Sequence, residues 1–274
     1  MKTLKKALTS KQMVTLVWVI GLMILWEIVA TVVAQTKRTP ENILPHLYQI
    51  IASVFNPKLV NGRQTAFQLV LSNAGITLLR AGIGFVIGAA IGFILALVMH
   101  LFRPAEKVVF PYLMIIQMIP ILGMAPIILA ITKDINKSRI IIAAILTFYP
   151  VATNALAGFK SVEREKLELM RSLAARKSEI YTKLLIPTSI PYLFTGLKIS
   201  APMAITASIL VDTLQGGSGL GTMLSQSLKH AMTIYVFWQI VFLSAIIGIL
   251  SYYLMTVIEK IAINRRGKIV RAAK

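Results

Sequence analysis

The sequence predicts an all-α membrane protein, a bundle of about six transmembrane helices interrupted by one charged loop. Three observations predict it. Charged residues are 14% of the 274 positions and hydrophobic residues 57%, against about 25% charged in a soluble domain. Apolar runs of about 20 residues recur, each long enough to cross roughly 30 Å of hydrocarbon. The net charge of +19 follows the loops between these runs instead of forming one nucleic-acid-binding surface. Helices are expected because each span must satisfy its own backbone in lipid.

Residues 1–12 form a basic tail, followed by a first span at Met13–Ala34. Its basic start and Val-Val-Ala ending resemble a leader peptide. The apolar run is too long for one, however, and Glu27 interrupts it, so it is read as a retained helix. Residues 35–73 are assigned to an external segment. The second span, Ala74–Leu101, places Gly84, Gly88 and Gly92 on one face, where a neighbouring helix can approach closely. The third, Val108–Ile131, carries Pro111, Pro120, Gly123 and Pro126, and each internal proline removes a backbone donor and bends the helix.

The fourth span, Ile140–Phe159, contains Pro150 and Asn154, and the fifth, Tyr192–Leu214, is interrupted by Lys198 and Pro202. A sixth at Ile234–Ile258 precedes a basic tail, 259–274, so the membrane core runs over 74–258 with a loop at 160–190. Kinked spans with Gln117, Pro120 and Asn154 at mid-depth suggest the wall of a pathway, since broken helices are tolerated where they line a cavity. Ordinary interhelical hydrogen bonding is the alternative.

With six spans both termini share one side. That side receives 19 of the 29 Lys and Arg, the opposite side eight, and Arg80 and Lys198 fall within spans. The excess places both termini in the cytoplasm, helped by attraction to anionic membrane lipid. No nucleic-acid partner is expected.

Ionisable groups inside spans are functional candidates by default, and here they are Glu27, Arg80 and Asp212. Arg80 either snorkels to the interface or attracts an anion. Asp212 opens "DTLQGGSGLGTML" and either faces water or hydrogen-bonds the glycine-rich turn behind it. Gly216 to Gly221 has the first spacing of a phosphate-binding loop, but Thr222 stands where a lysine is required. The three histidines are widely separated, cysteine is absent, and no nucleophile, base and acid stand in register. Neither a catalytic nor a metal site is expected. An ion-coupled secondary transporter would need more coupling groups than these three.

The loop reads "SVEREKLELMRSLAARKSEIYTKLLIPTSIP", Ser161–Pro191. Ser161 is expected to cap a helix that opens with Glu163 and Glu165 and ends among Arg171, Arg176 and Lys177, an order that complements the helix dipole. Leu167, Met170, Leu173 and Ala174 are placed on one apolar face. Ser178 is expected to start a second short helix, Glu179–Leu185, that Pro187 closes. Amphipathicity alone favours a helix resting on lipid.

The spacing argues differently. Permeases of ATP-binding cassette importers carry a cytoplasmic signature of Glu-Ala-Ala, three residues, Gly, nine residues, Ile, one residue, Leu-Pro. Glu168, Ala174, Leu184, Ile186 and Pro187 keep that register, with Leu169 and Met170 for the two alanines and Ala174 for the glycine. An alanine at a left-handed turn costs about 1 kcal/mol, so a gentler bend is expected here. "IPYLFTGLKIS", "GGSGLGTML" and "QMIPILGMAPIILAI" are similar to the nitrate/sulfonate/taurine-type permeases, a resemblance covering about Leu78 to Ile258.

The resemblance implies a type I importer permease without a cofactor of its own. Its loop helix would dock, through Glu168 and the apolar face, on separate ATPase subunits. Two copies of these would use ATP and Mg. It further implies a second permease, in a homodimer, and an extracytoplasmic substrate-binding protein in a prokaryotic cell membrane. The solute would be small and polar or anionic, nitrate, sulfonate or taurine-like, or a vitamin precursor. Arg80, Gln117, Pro120, Asn154 and Asp212 are the pathway candidates.

Overall fold

The computed structural model describes residues 11–60, 63–229 and 234–272, with side chains other than those of 11, 12, 103 and 265–272. The expected tail at residues 1–10 and the last two residues lie outside the described residues. Helix α1 (Lys11–Thr36) and the short α2 (Leu47–Val54) precede the 36-residue α3 (Ala66–Leu101). Helices α4 (Arg103–Met118), α5 (Ala125–Thr132), α6 (Ile135–Lys160) and α7 (Arg164–Ser172) follow. The chain then forms α8 (Lys177–Gln215), α9 (Leu220–Lys229) and α10 (Ile234–Ala272). Among the described residues there is no strand, only an isolated bridge between Leu59 and Thr65.

Among the described residues, five helices are long and apolar enough to cross a membrane: α1, α3, α6, α8 and α10. The third predicted span is divided into α4 and α5. Ile119, held extended (φ −67°, ψ 133°) ahead of Pro120 as residues before proline are, ends α4. A turn closed by Gly123 N–H donating to the Pro120 carbonyl (2.7 Å) leads into α5. The sixth helix does not stop at Ile258. It runs through the expected tail to Ala272, because that stretch is rich in good helix formers and has no proline.

The chain divides into two compact units, residues up to Val70 with Leu224–Val241, and Leu71–Met223 with the rest from Phe242. In the first, Glu27 of α1 is the organising residue. Its carboxylate accepts from the Leu47 N–H (2.8 Å) and pairs with His46 Nδ1 (2.6 Å), capping α2. Trp26 Nε1 donates to the Pro45 carbonyl (3.0 Å) and stacks edge-on against Trp238 (4.8 Å). Gln239 of α10 donates to Ser53 Oγ (2.8 Å) at the other end of α2.

In the second unit α3 packs on α6 through its glycine face. A Cβ at Gly84 would stand 2.6 Å from that of Ala143, and Gly88 and Gly92 lie equally close to α6 backbone. Helix α6 in turn packs on α8, where Gly158 meets Ser189 and Tyr192, and Gly196 meets the Pro150 carbonyl. Asp134 caps α6 by accepting from the N–H groups of Lys137 and Asn136, which hold its carboxyl below the usual carboxylate range.

Helix α8 corrects two expectations. The predicted short helix and the fifth span are one continuous helix, and Pro187 does not end it. A π-helical turn, Tyr181–Leu185, lies immediately before it. A proline lacks its N–H and its ring collides with the carbonyl four residues earlier; the widened turn relieves both demands, so the helix passes through. Lys198, expected to interrupt the span, is neutralised by Glu259 of α10 at 2.5 Å.

Candidate functional site

Two constellations stand at opposite ends of the second unit. The first is the charged loop. Ser161 does not start the loop helix: its N–H and Oγ bond to the Ala157 and Gly158 carbonyls and so finish α6, while Glu163 is the N-cap of α7. Helix α7 ends in a Schellman arrangement, with the Ala174 N–H donating to the Arg171 carbonyl (2.9 Å) and the Ala175 N–H to the Met170 carbonyl (3.0 Å). This closure requires a left-handed residue, and Ala174 supplies it at φ 54°. The expected gentler bend is therefore not found. The turn keeps the full left-handed geometry and Ala174 bears the strain.

The apolar face also differs from the expected one. Leu167 turns inward and packs on the core of Ala96, Met99, Leu113, Ala152, Ala155, Leu156, Phe159 and Leu185, and Met170 is half-buried. Leu169 and Leu173 are instead the outward pair, 60% and 70% exposed. Leu173 and Ala174 stand beyond the last helical residue, so the helical phase used to group them with Leu167 does not extend that far. Glu168 is exposed and pairs with Arg164 at 2.7 Å, one turn back. Tyr181, in the π turn, shares a 2.8 Å hydrogen bond with His100 Nδ1 at the end of α3, and the His100 ring lies 5.3 Å from that of Phe159. Lys160 pairs with Glu106 beside it.

The second constellation surrounds the glycine-rich turn between α8 and α9. Asp212 does not face water: it is fully buried. One carboxylate oxygen lies 2.9 Å from Arg139 Nε and 3.6 Å from Arg80 Nη1, and the other accepts from Thr77 Oγ1 (2.8 Å). Arg80 is also nearly buried and donates to the Ser218 carbonyl (2.8 Å) and to Ser218 Oγ (2.9 Å). Arg139 donates to the same carbonyl (2.9 Å) and to that of Gly216. The Gly219 N–H reaches Asn73 Oδ1 (2.8 Å), and the Leu220 N–H reaches Thr77 Oγ1 (2.9 Å). Positive φ at Gly216, Gly217 and Gly219 makes this path available, and at Gly219 a side chain would collide with the Asp212 carboxylate.

Two guanidinium groups thus share one carboxylate, and the Ser218 and Gly216 carbonyls and the Ser218 hydroxyl take further donors. Burying charge is tolerable only with such partners. The arrangement pins α3, about three to four turns from its start, together with the start of α6 and the end of α8, to one turn. Arg139 and Thr77 were not among the sequence candidates. Arg139 falls just outside the predicted span Ile140–Phe159, although it lies three and four residues before the buried Ile142 and Ala143, on the same helix face.

The other expected pathway residues do not converge. Gln117 is half-exposed just before the break, Pro120 is exposed within it, and Asn154 donates its amide to the Pro150 carbonyl of its own helix (2.8 Å). A groove of about 300 Å³ does lie beside the break, lined by Leu122, Leu146, Pro202, Met203, Thr206 and Leu210. Ala207 also lines it and belongs to the core of Ile121, Ala125, Ile142 and Val211, against which Leu122 and Leu146 pack, and Gln215 fixes the start of α5 by donating to the Ala125 carbonyl (3.0 Å). None of the five predicted pathway residues lines this groove.

Residues 88–262 match the family described as binding-protein-dependent transport system inner membrane component. The formylaminopyrimidine transport permease protein ThiX of Halalkalibacterium halodurans is 28% identical, over 90% of this chain and 93% of its own length. The nitrate import permease protein NrtB of a Synechocystis strain is 24% identical, over 90% and 88%. Among solved structures, the MetNI methionine ATP-binding cassette transporter in an inward-facing conformation superposes with a TM-score of 0.61 at 18% identity, over 70% of this chain and 95% of that one. An amino acid ATP-binding cassette transporter gives 0.57 at 20% identity, over 72% and 94%. The fold is that of these importer permeases. With its family match covering residues 88–262, well over half of its length, the chain belongs to the binding-protein-dependent transport inner-membrane components and is a permease subunit of an ATP-binding cassette importer.

Proposed function

We propose that α7 is the element through which separate ATPase subunits drive this permease, with α7 and both termini in the cytoplasm. The observation that carries this reading is an exposed charged helix, held at each end by a spanning helix, that keeps the signature register from Glu168 to Pro187. Its docking surface is the outward set Leu169, Leu173 and Glu168, while Leu167 and Met170 seat it on the permease. Two ATPase copies, using ATP and Mg, draw two such helices together, one from each permease of a homodimer. An extracytoplasmic binding protein delivers the solute. Tags at Glu165 and at Lys274 reachable only from the cytoplasm, and one at Gly217 only from outside, would agree with this orientation. A signal from outside at Glu165 would overturn it.

The groove beside the α4–α5 break is proposed as part of the pathway wall, and it narrows the solute class. Thr206 is its only polar side chain, and the two buried arginines are both committed to Asp212 and to carbonyls. A wall without a free cation suits an uncharged organic solute, such as a vitamin precursor of pyrimidine size, better than a small inorganic anion. The solute retained by the purified binding protein tests this. Retention of nitrate or a sulfonate would reject it.

A further inference from the structure

The segment expected on the external side, residues 35–73, contains α2, whose two ends are both tied to spanning helices. Its first residue is held by Glu27, seven residues short of the end of the apolar run of α1 at Ala34, or about 10 Å along the helix axis. Its far end is held at Ser53 by Gln239, which lies five residues, roughly 7 Å, inside the described start of α10. Two independent anchors on two spanning helices therefore hold both ends of α2 below the ends of those helices.

The composition of its faces agrees. Ile50 is buried, and Leu47 and Val54 are half-buried, on the side toward its own unit. The polar side chains are spent locally: Gln49 accepts from the His46 N–H and donates to Glu41, and Ser53 receives Gln239. What remains outward is Tyr48, Ile51 and Phe55, 66%, 60% and 79% exposed, together with Ala52. A helix facing water would show polar groups on this side. The outward face is instead continuous in character with α1, whose apolar side chains are exposed nearly all round.

We propose that α2 lies in the membrane interface, with Tyr48, Ile51 and Phe55 inserted into the acyl region of lipid. The chemistry is that of an interfacial helix, with its apolar face buried about 5–10 Å below the headgroups. The orientation proposed above decides only which leaflet it occupies; the depth does not depend on it.

The chain has no cysteine, so single Ile51→Cys, Phe55→Cys and Lys37→Cys variants of the assembled importer in vesicles can carry a fluorescent label. Lys37 is exposed just past α1 and serves as the reference. Lipids brominated on their acyl chains should quench labels at 51 and 55 at least about three-fold more than at 37. A membrane-impermeant maleimide should react with 37 and spare 51 and 55. Equal reaction at all three positions would overturn the proposal in favour of water. Protection that appears only when the binding protein is added would overturn it in favour of a protein surface. Cross-linking of 51 between two permeases would overturn it in favour of a second copy. Tyr48→Phe, which keeps the apolar face, should import as the parent does.

Discussion

Tyr181 Oη and His100 Nδ1 lie 2.8 Å apart, across 81 residues of sequence. Among the described residues this is the only hydrogen bond that joins the segment 162–185 to a helix other than the one it continues into. It ties the π turn at the foot of α8 to the end of α3, at the spot where Phe159 ends the core. A π turn is an uncommon element that favours functional positions, and here it lies in the first turns of α8, between α7 and the apolar part of that long helix.

Removing that bond should loosen transmission without dissolving the site. Tyr181→Phe keeps the ring and loses only the hydroxyl. A single hydrogen bond is worth about 0.5–1.5 kcal/mol, so solute imported per ATP hydrolysed should fall roughly two- to ten-fold, while the ATPase still co-purifies. His100→Phe should give a similar loss, and the double variant little more than either. Additive losses would show that the two residues act separately.

The Asp212 cluster makes a prediction about order. Arg139 is fully buried and 2.9 Å from Asp212, whereas Arg80 is 3.6 Å away and leans on Ser218. Breaking a buried pair by removing one partner costs about 3–5 kcal/mol. Asp212→Ala, which strands two cations, should be the most damaging, then Arg139→Ala, then Arg80→Ala. Thermal midpoints of the detergent-purified complex would rank them. Arg80→Gln retains donors for Ser218 and should cost less than Arg80→Ala. If Arg80→Gln instead folds with its midpoint intact and loses import, Arg80 serves the solute directly.

The legibility of this protein follows the range of each interaction. Spans, the glycine face of α3 and the loop helix were readable because hydrophobic period and small-residue spacing act within one helix. The register to Pro187 was readable because it is a distance along the chain. Arg139 was missed because a cation at a helix start looks solvated until Asp212, 73 residues later, is known to face it. The continuity of α8 was hidden by reading Pro187 as a stop, when one widened turn absorbs it. That Leu167 packs inward was not legible, because a helical face does not state which neighbour covers it.

Ala174 carries a stabilising substitution in waiting. It holds the left-handed position of the α7 closure, where glycine pays no steric penalty. Ala174→Gly should stabilise the turn by about 1 kcal/mol, slowing amide exchange at the Ala174 and Ala175 N–H groups. Ala174→Val, with a β-branch at positive φ, should weaken it and speed exchange at the same amides. Unchanged exchange in both variants would mean that the turn is held from elsewhere.

The surface of α7 separates docking from folding. Leu169 and Leu173 are 60% and 70% exposed, whereas Leu167 packs on the core. Leu169→Asp and Leu173→Asp should therefore leave expression and the thermal midpoint of the permease nearly unchanged, since exposed substitutions usually shift stability by less than about 0.5 kcal/mol, and yet abolish co-purification of the ATPase. Leu167→Asp should do the reverse and lower permease yield, because it places a charge in an apolar core. Glu168→Ala lies between them. Its pair with Arg164 is solvent-exposed and worth only about 0–1 kcal/mol in the isolated chain, so its loss should not affect folding. Once an ATPase covers it, removing one partner of a buried, hydrogen-bonded pair costs roughly 2–5 kcal/mol, enough to reduce ATPase retention thirty-fold or more at the low end. Glu179→Ala, whose partner Lys183 lies one turn along its own helix, removes only a local exposed pair. If Glu168→Ala and Glu179→Ala retain the ATPase equally well, Glu168 is a solvated charge and the contact rests on the two leucines alone.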